Sequence, residues 1–169
     1  MARGLLVQGA QVALVGRDSA QLEMLAALAP GRSAVYSLDV ADAAAMQAMA
    51  HDWMQRSGVP DLVIANAGVA GGYATAQAGD LAVLRRMLEI NLLGVATTFQ
   101  PFLAAMQTQA RPAALVGVAS IAGWRGLPGN GAYCASKAGL IAYLQSLRAA
   151  QLGPQALQVS DQPGLAGAV

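Results

Sequence analysis

The sequence predicts an α/β protein built on a parallel, doubly wound sheet, and three observations predict it. Short apolar or β-branched runs alternate with helix-length segments along the 169 residues. Each run closes on a glycine or a polar side chain, as strands do where they enter a turn. The stretches between runs are long enough for a helical crossover, which parallel neighbours require and antiparallel ones do not.

The elements follow in order. Val12 to Val15 is a β-branched run ending at Gly16-Arg17-Asp18, and Ser19 to Ala29 is a helix stopped by Pro30-Gly31. Ala34 to Leu38 is a second strand closing on Asp39. Asp42 to Arg56 is a second helix with Ala45, Met49 and Trp53 on one face at four-residue spacing. Asp61 to Ala65 reads as a buried strand through Leu62, Val63 and Ile64, broken by Asn66-Ala67-Gly68. A long helix runs from Asp80, its expected N-cap, toward Met106, with Pro101 placed to kink it. Ala113 to Ala119 is the next strand, followed by the loop Ser120 to Asn130 and a helix from Gly131 to Gln151. That helix is apolar around more than one face, which suggests a dimer or tetramer contact. Ala156 to Ser160 is a last strand before Pro163-Gly164. The pattern is that of a Rossmann-like sheet, in which ligands bind at the carboxyl ends of the strands. Here those ends carry Arg17, Asp39, Asn66 and Ser120.

Composition narrows the function classes. The chain is 56% hydrophobic and 11% charged, against roughly 25% charged for an ordinary globular domain. One domain over residues 1–169 is expected, with apolar surface left for a partner subunit or for further chain. A net charge of +1 without any basic run gives nucleic acid or an anionic membrane little electrostatic hold. One cysteine, Cys134, cannot make an internal disulfide, and one histidine, His51, cannot build a metal site with it at usual ligand spacing. No apolar run approaches the roughly 18 residues of a membrane span, and the start lacks a signal peptide's order. A cytoplasmic protein is expected.

Lys137 is the only lysine among ten basic residues, and it stands four after Tyr133. Positions i and i+4 of one helix share a face, which brings an ammonium within reach of a phenol. A phenol is a poor acid-base group at neutral pH, and a nearby cation favours its phenolate form. A carbonyl reduced by hydride becomes an alkoxide that needs a proton; such a tyrosine can give it, or take one in the reverse direction. The plain alternative is a surface helix pair with a packed tyrosine. Ser120, thirteen residues upstream at a strand end, can hold a substrate carbonyl or simply close a turn. With His51 the only histidine, and on a surface helix, a serine hydrolase is disfavoured. Asp39 can accept from an adenine amino group or cap the next helix. Asn66-Ala67-Gly68 suits a close backbone approach or an ordinary turn.

Taken together, Asn66-Ala67-Gly68 after a strand, Asn91 in the next helix, Ser120 and Tyr133-Cys134-Ala135-Ser136-Lys137 resemble the motifs of the short-chain dehydrogenase/reductase family in order and spacing. Asp39-Val40 resembles that family's adenine-contacting pair, and Pro163-Gly164 its motif after the sixth strand. The resemblance implies an oxidoreductase acting on an alcohol or ketone, with Tyr133 as acid/base. Lys137 would favour the phenolate and bind the nicotinamide ribose, Ser120 would orient the substrate oxygen, and Asn91 would hold a relay water. Asn66, Ala67 and Gly68 would support the cofactor. Arg17, one residue past the strand end where a carboxylate would favour NAD(H), points to NADP(H) instead, with Asp18 beside it as a counterweight. The partners implied are a small-molecule substrate and further copies of the chain.

The family's opening strand and its glycine-rich turn, Thr-Gly-x-x-x-Gly-x-Gly, have no counterpart here; Met1 to Gln8 resembles the later part of the family's first helix. The chain also stops just after Pro163-Gly164, before the family's last strand. A form truncated at both ends is expected, with two inner sheet edges left unpaired. A catalytically inactive remnant or interaction protein retaining the core is the alternative.

Overall fold

The computed structural model describes residues 1–72, 74–150 and 158–163. The chain divides into two compact units, Met1–Gly58 and Val59–Val169.

The first unit begins with helix α1 (Ala2–Val7), which leads into strand β1 (Val12–Gly16), helix α2 (Ser19–Ala26), strand β2 (Ser33–Ser37) and helix α3 (Ala43–Ser57). β1 and β2 pair in parallel, from Val12 opposite Ser33 to Gly16 opposite Ser37. The Asp18 carboxylate caps α2 by accepting from Gln21 N at 3.1 Å. α2 stops three residues short of the expected Ala29. The residue before a proline avoids the helical region, and the chain tightens through Leu28 N to Leu25 O and Ala29 N to Ala26 O ahead of Pro30 and Gly31, the latter at φ +78°. α3 is capped by Asp42, and its buried face is Met46, Met49, Ala50 and Trp53, with Ala45 at its margin.

Tyr36 on β2 ties the sheet to α3: its hydroxyl donates to Asp52 Oδ2 at 2.7 Å, and Asp52 also pairs with Arg56 at 2.8 Å. Burial, then the hydrogen bond and charge of Asp52, push the Tyr36 phenol from 10.0 up to about 12. A raised folded-state value means the unfolded chain releases this proton first. The contribution of Tyr36 to stability is therefore whole below pH ~10 and is lost as pH climbs through ~12. Tyr36→Phe is expected to flatten that part of the alkaline fall in unfolding midpoint; an unchanged alkaline profile would contradict it.

The second unit holds strand β3 (Leu62–Ala65), helix α4 (Asp80–Leu88), a π-turn (Glu89–Leu93), helix α5 (Gly94–Thr108), strand β4 (Ala114–Ala119), a short 3₁₀ turn (Ile121–Gly123), helix α6 (Gly131–Ala150) and strand β5 (Gln158–Pro163). The three strands are parallel in the order β3-β4-β5. Phe99, Leu115, Leu140 and Leu144 are less than 2% exposed and form the centre of this unit's core, each burial contributing about 1.5–3 kcal/mol. Gly117 allows β4 and α6 to close up, since a Cβ there would lie 2.6 Å from Leu144 Cδ1.

Several expectations for this unit are corrected. Leu62 is 40% exposed, because it opens the strand before the sheet is covered; Val63 and Ala65 carry the burial instead. Asp80 is the first residue of α4 and Gly79 its N-cap; the Asp80 carboxylate closes the preceding turn by accepting from Gln77 N at 3.2 Å. The long helix is interrupted at the π-turn and passes through Pro101 without ending. β5 is described over Gln158–Pro163, while Ala156, like Gln151, lies outside the described residues.

Among the described residues the strands form two parallel sheets, β1-β2 in the first unit and β3-β4-β5 in the second. No helix among the described residues is long and apolar enough to cross a membrane.

Candidate active site

β4 delivers Ser120 at its carboxyl end, and the following 3₁₀ turn fixes it there: Ser120 Oγ accepts from Ala122 N at 3.2 Å, and the residue is 8% exposed. Gly123 then lies directly on α6. A Cβ at Gly123 would stand 2.8 Å from the carbonyl carbon and oxygen of Lys137, so only glycine lets the turn seat at this height. The seat holds the Ser120 turn against the helix residue that carries the ammonium.

α6 presents Tyr133 and Lys137 on one face, as their spacing requires. Lys137 is 5% exposed, and its Nζ lies 5.9 Å from the centroid of the half-buried Tyr133 ring. A buried ammonium needs compensation, and Nζ donates to Val118 O on β4 at 2.7 Å. Burial pushes the Lys137 pKa below the ordinary lysine value.

Asn91 sits in the middle of the π-turn and is fully buried. Its Oδ1 accepts from Val69 N at 2.8 Å, while Nδ2 donates to Val69 O at 2.9 Å and to Ser136 Oγ at 3.0 Å. The amide thereby pins the segment after β3, including Asn66, Ala67 and Gly68, which are exposed. A Cβ at Gly68 would lie 3.3 Å from Asn91 Oδ1 and 3.8 Å from Lys137 Nζ. The wall of the site beside the ammonium is therefore bare backbone.

The structure thus brings Gly68, Asn91, Tyr133 and Lys137 together, and links Ser120 to them through Gly123. Pro163 stands opposite Ala119 in the β4-β5 register, one residue before Ser120; Gly164 lies outside the described residues. Trp124 is 67% exposed and lines a cleft with Ala122, Gly123, Cys134, Ala135 and Ala138. Two residues escaped sequence reasoning, Gly123 and Val118 through its carbonyl. Ser136 was read only as a position in the Tyr133-to-Lys137 motif, without a role.

In the first unit, Arg17 is exposed just past β1, and its carbonyl accepts from Ser37 Oγ at 3.4 Å. Asp39 follows β2 and bonds Ala41 N through Oδ1 at 3.0 Å, while Val40 is buried. The helix after it is capped by Asp42, so Asp39 does not serve as that cap.

The family model for short chain dehydrogenases matches residues 1–163. An uncharacterized oxidoreductase of Myxococcus xanthus is 37% identical over 155 residues, which is 88% of this chain and 60% of that protein. The inactive 2-(S)-hydroxypropyl-CoM dehydrogenase 2 of Xanthobacter autotrophicus is 30% identical over 160 residues, 95% of this chain and 68% of that protein. Among solved structures, the closed form of serine dehydrogenase complexed with NADP+ superposes with a TM-score of 0.87 at 25% identity, covering 95% of this chain and 64% of that one. The chain therefore spans about three fifths to two thirds of the length of these relatives.

Proposed function

The chain belongs to the short-chain dehydrogenase family of oxidoreductases, and from that premise we propose that it moves hydride between NADP(H) and a small alcohol or ketone at a site made by Asn91, Ser120, Tyr133 and Lys137. The single observation that carries this reading is the buried Lys137 ammonium, 5.9 Å from the Tyr133 ring and walled by a side-chain-free Gly68.

The residues present suit a nicotinamide cofactor at its ribose end, where Lys137 offers donors and Gly68 leaves room that a Cβ would fill. Bound there, the cofactor supplies or accepts the hydride. The rest is the work of this chain's own side chains. Tyr133 gives its phenolic proton to the substrate oxygen or takes one from it, and Lys137 stabilises the phenolate left behind. Ser120 Oγ accepts from Ala122 N, which leaves its own hydrogen available to donate to the substrate oxygen. Asn66, Ala67, Gly68 and the Pro163-Gly164 pair are proposed to line the cofactor, and a dimer or tetramer is the proposed assembly.

In the first unit, the choice of NADP(H) over NAD(H) rests on Arg17. Asp18, the carboxylate that would oppose a 2′-phosphate, is engaged as the α2 cap, whereas the Arg17 side chain is exposed past the strand end. Asp39 and Val40 are proposed to contact the adenine. The test is direct. Tryptophan emission should be quenched by NADPH more readily than by NADH, and Arg17→Ala should shrink that preference by about 10–100-fold, the worth of charge-assisted hydrogen bonds to phosphate. A chain that neither quenches nor oxidises any of a panel of secondary alcohols would exclude the active reading. A second reading, a catalytically silent member used for binding, is favoured in that event by the likeness to a relative named as inactive.

A further inference from the structure

We propose that Ser136 is a positioning residue for this site, fixing the Asn91 amide and through it the backbone that faces Lys137. The inference rests on the oxidoreductase reading above for its kinetic consequence, and on geometry alone for its structural one.

Asn91 and Ser136 are both fully buried, in different helical segments, and they meet at 3.0 Å through Asn91 Nδ2 and Ser136 Oγ. Ser136 cannot turn away from this contact without loss. Its own hydrogen is given to Tyr133 O at 2.8 Å, which leaves its oxygen lone pairs as the acceptor facing Asn91. The direction of every bond in the chain is then determined. Because Ser136 Oγ accepts, the Asn91 side chain must present nitrogen to it, and its oxygen must point the other way. That oxygen is the atom that holds Val69 N at 2.8 Å and lies 3.3 Å from where a Gly68 Cβ would be. A flipped amide would set N–H against N–H at Val69 and a carbonyl oxygen against the Val69 carbonyl. Ser136 thereby adds a third bond on the nitrogen side of the amide, bracing the orientation that the Val69 N–H and C=O also require.

The consequence reaches the site through Val69. Val69 is held by both its N–H and its C=O, so the segment that follows β3, whose Gly68 lies beside Lys137 Nζ, is clamped by a side chain that Ser136 of α6 braces at its nitrogen. The same serine bonds the backbone carbonyl of Tyr133, the residue whose hydroxyl is proposed to move the proton. No residue of this clamp need touch substrate.

The test uses the whole chain and two readouts. In Ser136→Ala, amide hydrogen exchange at Val69 is expected to speed up about tenfold or more, with the exchange of the β4 core amide Leu115 unchanged. Turnover is expected to fall about tenfold at constant KM. The parent chain itself should show two resolved, slowly exchanging Asn91 side-chain amide protons, with a through-space contact to Ser136; this measurement decides the matter should the alanine variant not fold. Unaltered Val69 exchange in Ser136→Ala, or Asn91 amide protons averaged by rotation in the parent, would overturn the proposal. Absence of turnover in the parent would overturn the oxidoreductase reading alone, because the two amide readouts stand without it.

Discussion

Tyr133→Phe is expected to lower turnover by about 10²–10⁴-fold while leaving the fold and cofactor binding intact. The magnitude is that of removing one well-placed acid-base group. The ring is half-buried and phenylalanine refills it, so the unfolding free energy should move by no more than about 0.5 kcal/mol. The measurement is paired: NADPH-coupled turnover on a carbonyl panel beside NADPH quenching of tryptophan emission. Turnover within threefold of the parent would remove Tyr133 from the chemistry and favour a nucleotide-binding role for the fold.

Lys137→Arg should be nearly as damaging, and for two separable reasons. The lysine is 5% exposed with one carbonyl, Val118 O, accepting from it, and Gly123 packs on its own backbone. A guanidinium brings five donors in a rigid plane to a space prepared for one compact cation, and each buried donor left unpaired costs about 1–3 kcal/mol. The unfolding midpoint should drop. The charge would also be displaced from the phenol, and a misplacement of about 1 Å is enough to cost ~10²-fold in rate. A variant that turns over like the parent would refute the assigned role.

The pH behaviour of Lys137 is opposite in sign to that of Tyr36. Burial lowers the folded-state value of the lysine, so the unfolded chain holds its proton to higher pH. The Lys137 share of stability therefore rises with pH in the window just below the ordinary lysine value of ~10.4, whereas the Tyr36 share falls above ~10. The two variants taken through an alkaline titration separate these contributions.

Much of this was legible in the sequence. The alternation of strands and helices, the Tyr133-Lys137 face and the strand-end position of Ser120 all follow from periodicity, which is set by backbone geometry and survives any tertiary context. Arg17 and Asp39 were likewise placed at strand ends by counting alone. What stayed hidden depends on contacts between segments distant in the chain. Ser136 stands in the motif run from Tyr133 to Lys137, but nothing in that run points to Asn91, 45 residues away and bonded to it. Gly123 looks like a loop glycine until the Lys137 backbone is found against it. Leu62 reads as core by its hydrophobicity, and its exposure is a matter of what the sheet fails to cover. Asp80 reads as a cap by residue type, yet its carboxylate serves the turn before it.

The π-turn at Glu89–Leu93 has no sequence signature, and it sets a rule on length for this stretch of chain. Such a turn holds one residue more than an α-helical turn, offsetting the faces before and after it by one step of ~100°. Counting inward-facing positions from Met87 at a strict α period reaches Thr98 and Ala105, but the buried residues are Phe99 and Met106. Deleting a single residue between Glu89 and Leu93 would make the helix regular and so rotate either Asn91 or the Phe99-Phe102 pair into water. The stretch can change its letters freely on the outer side, where Leu93 stands 58% exposed, but its count of residues is fixed by two buried patches that a regular helix cannot serve at once.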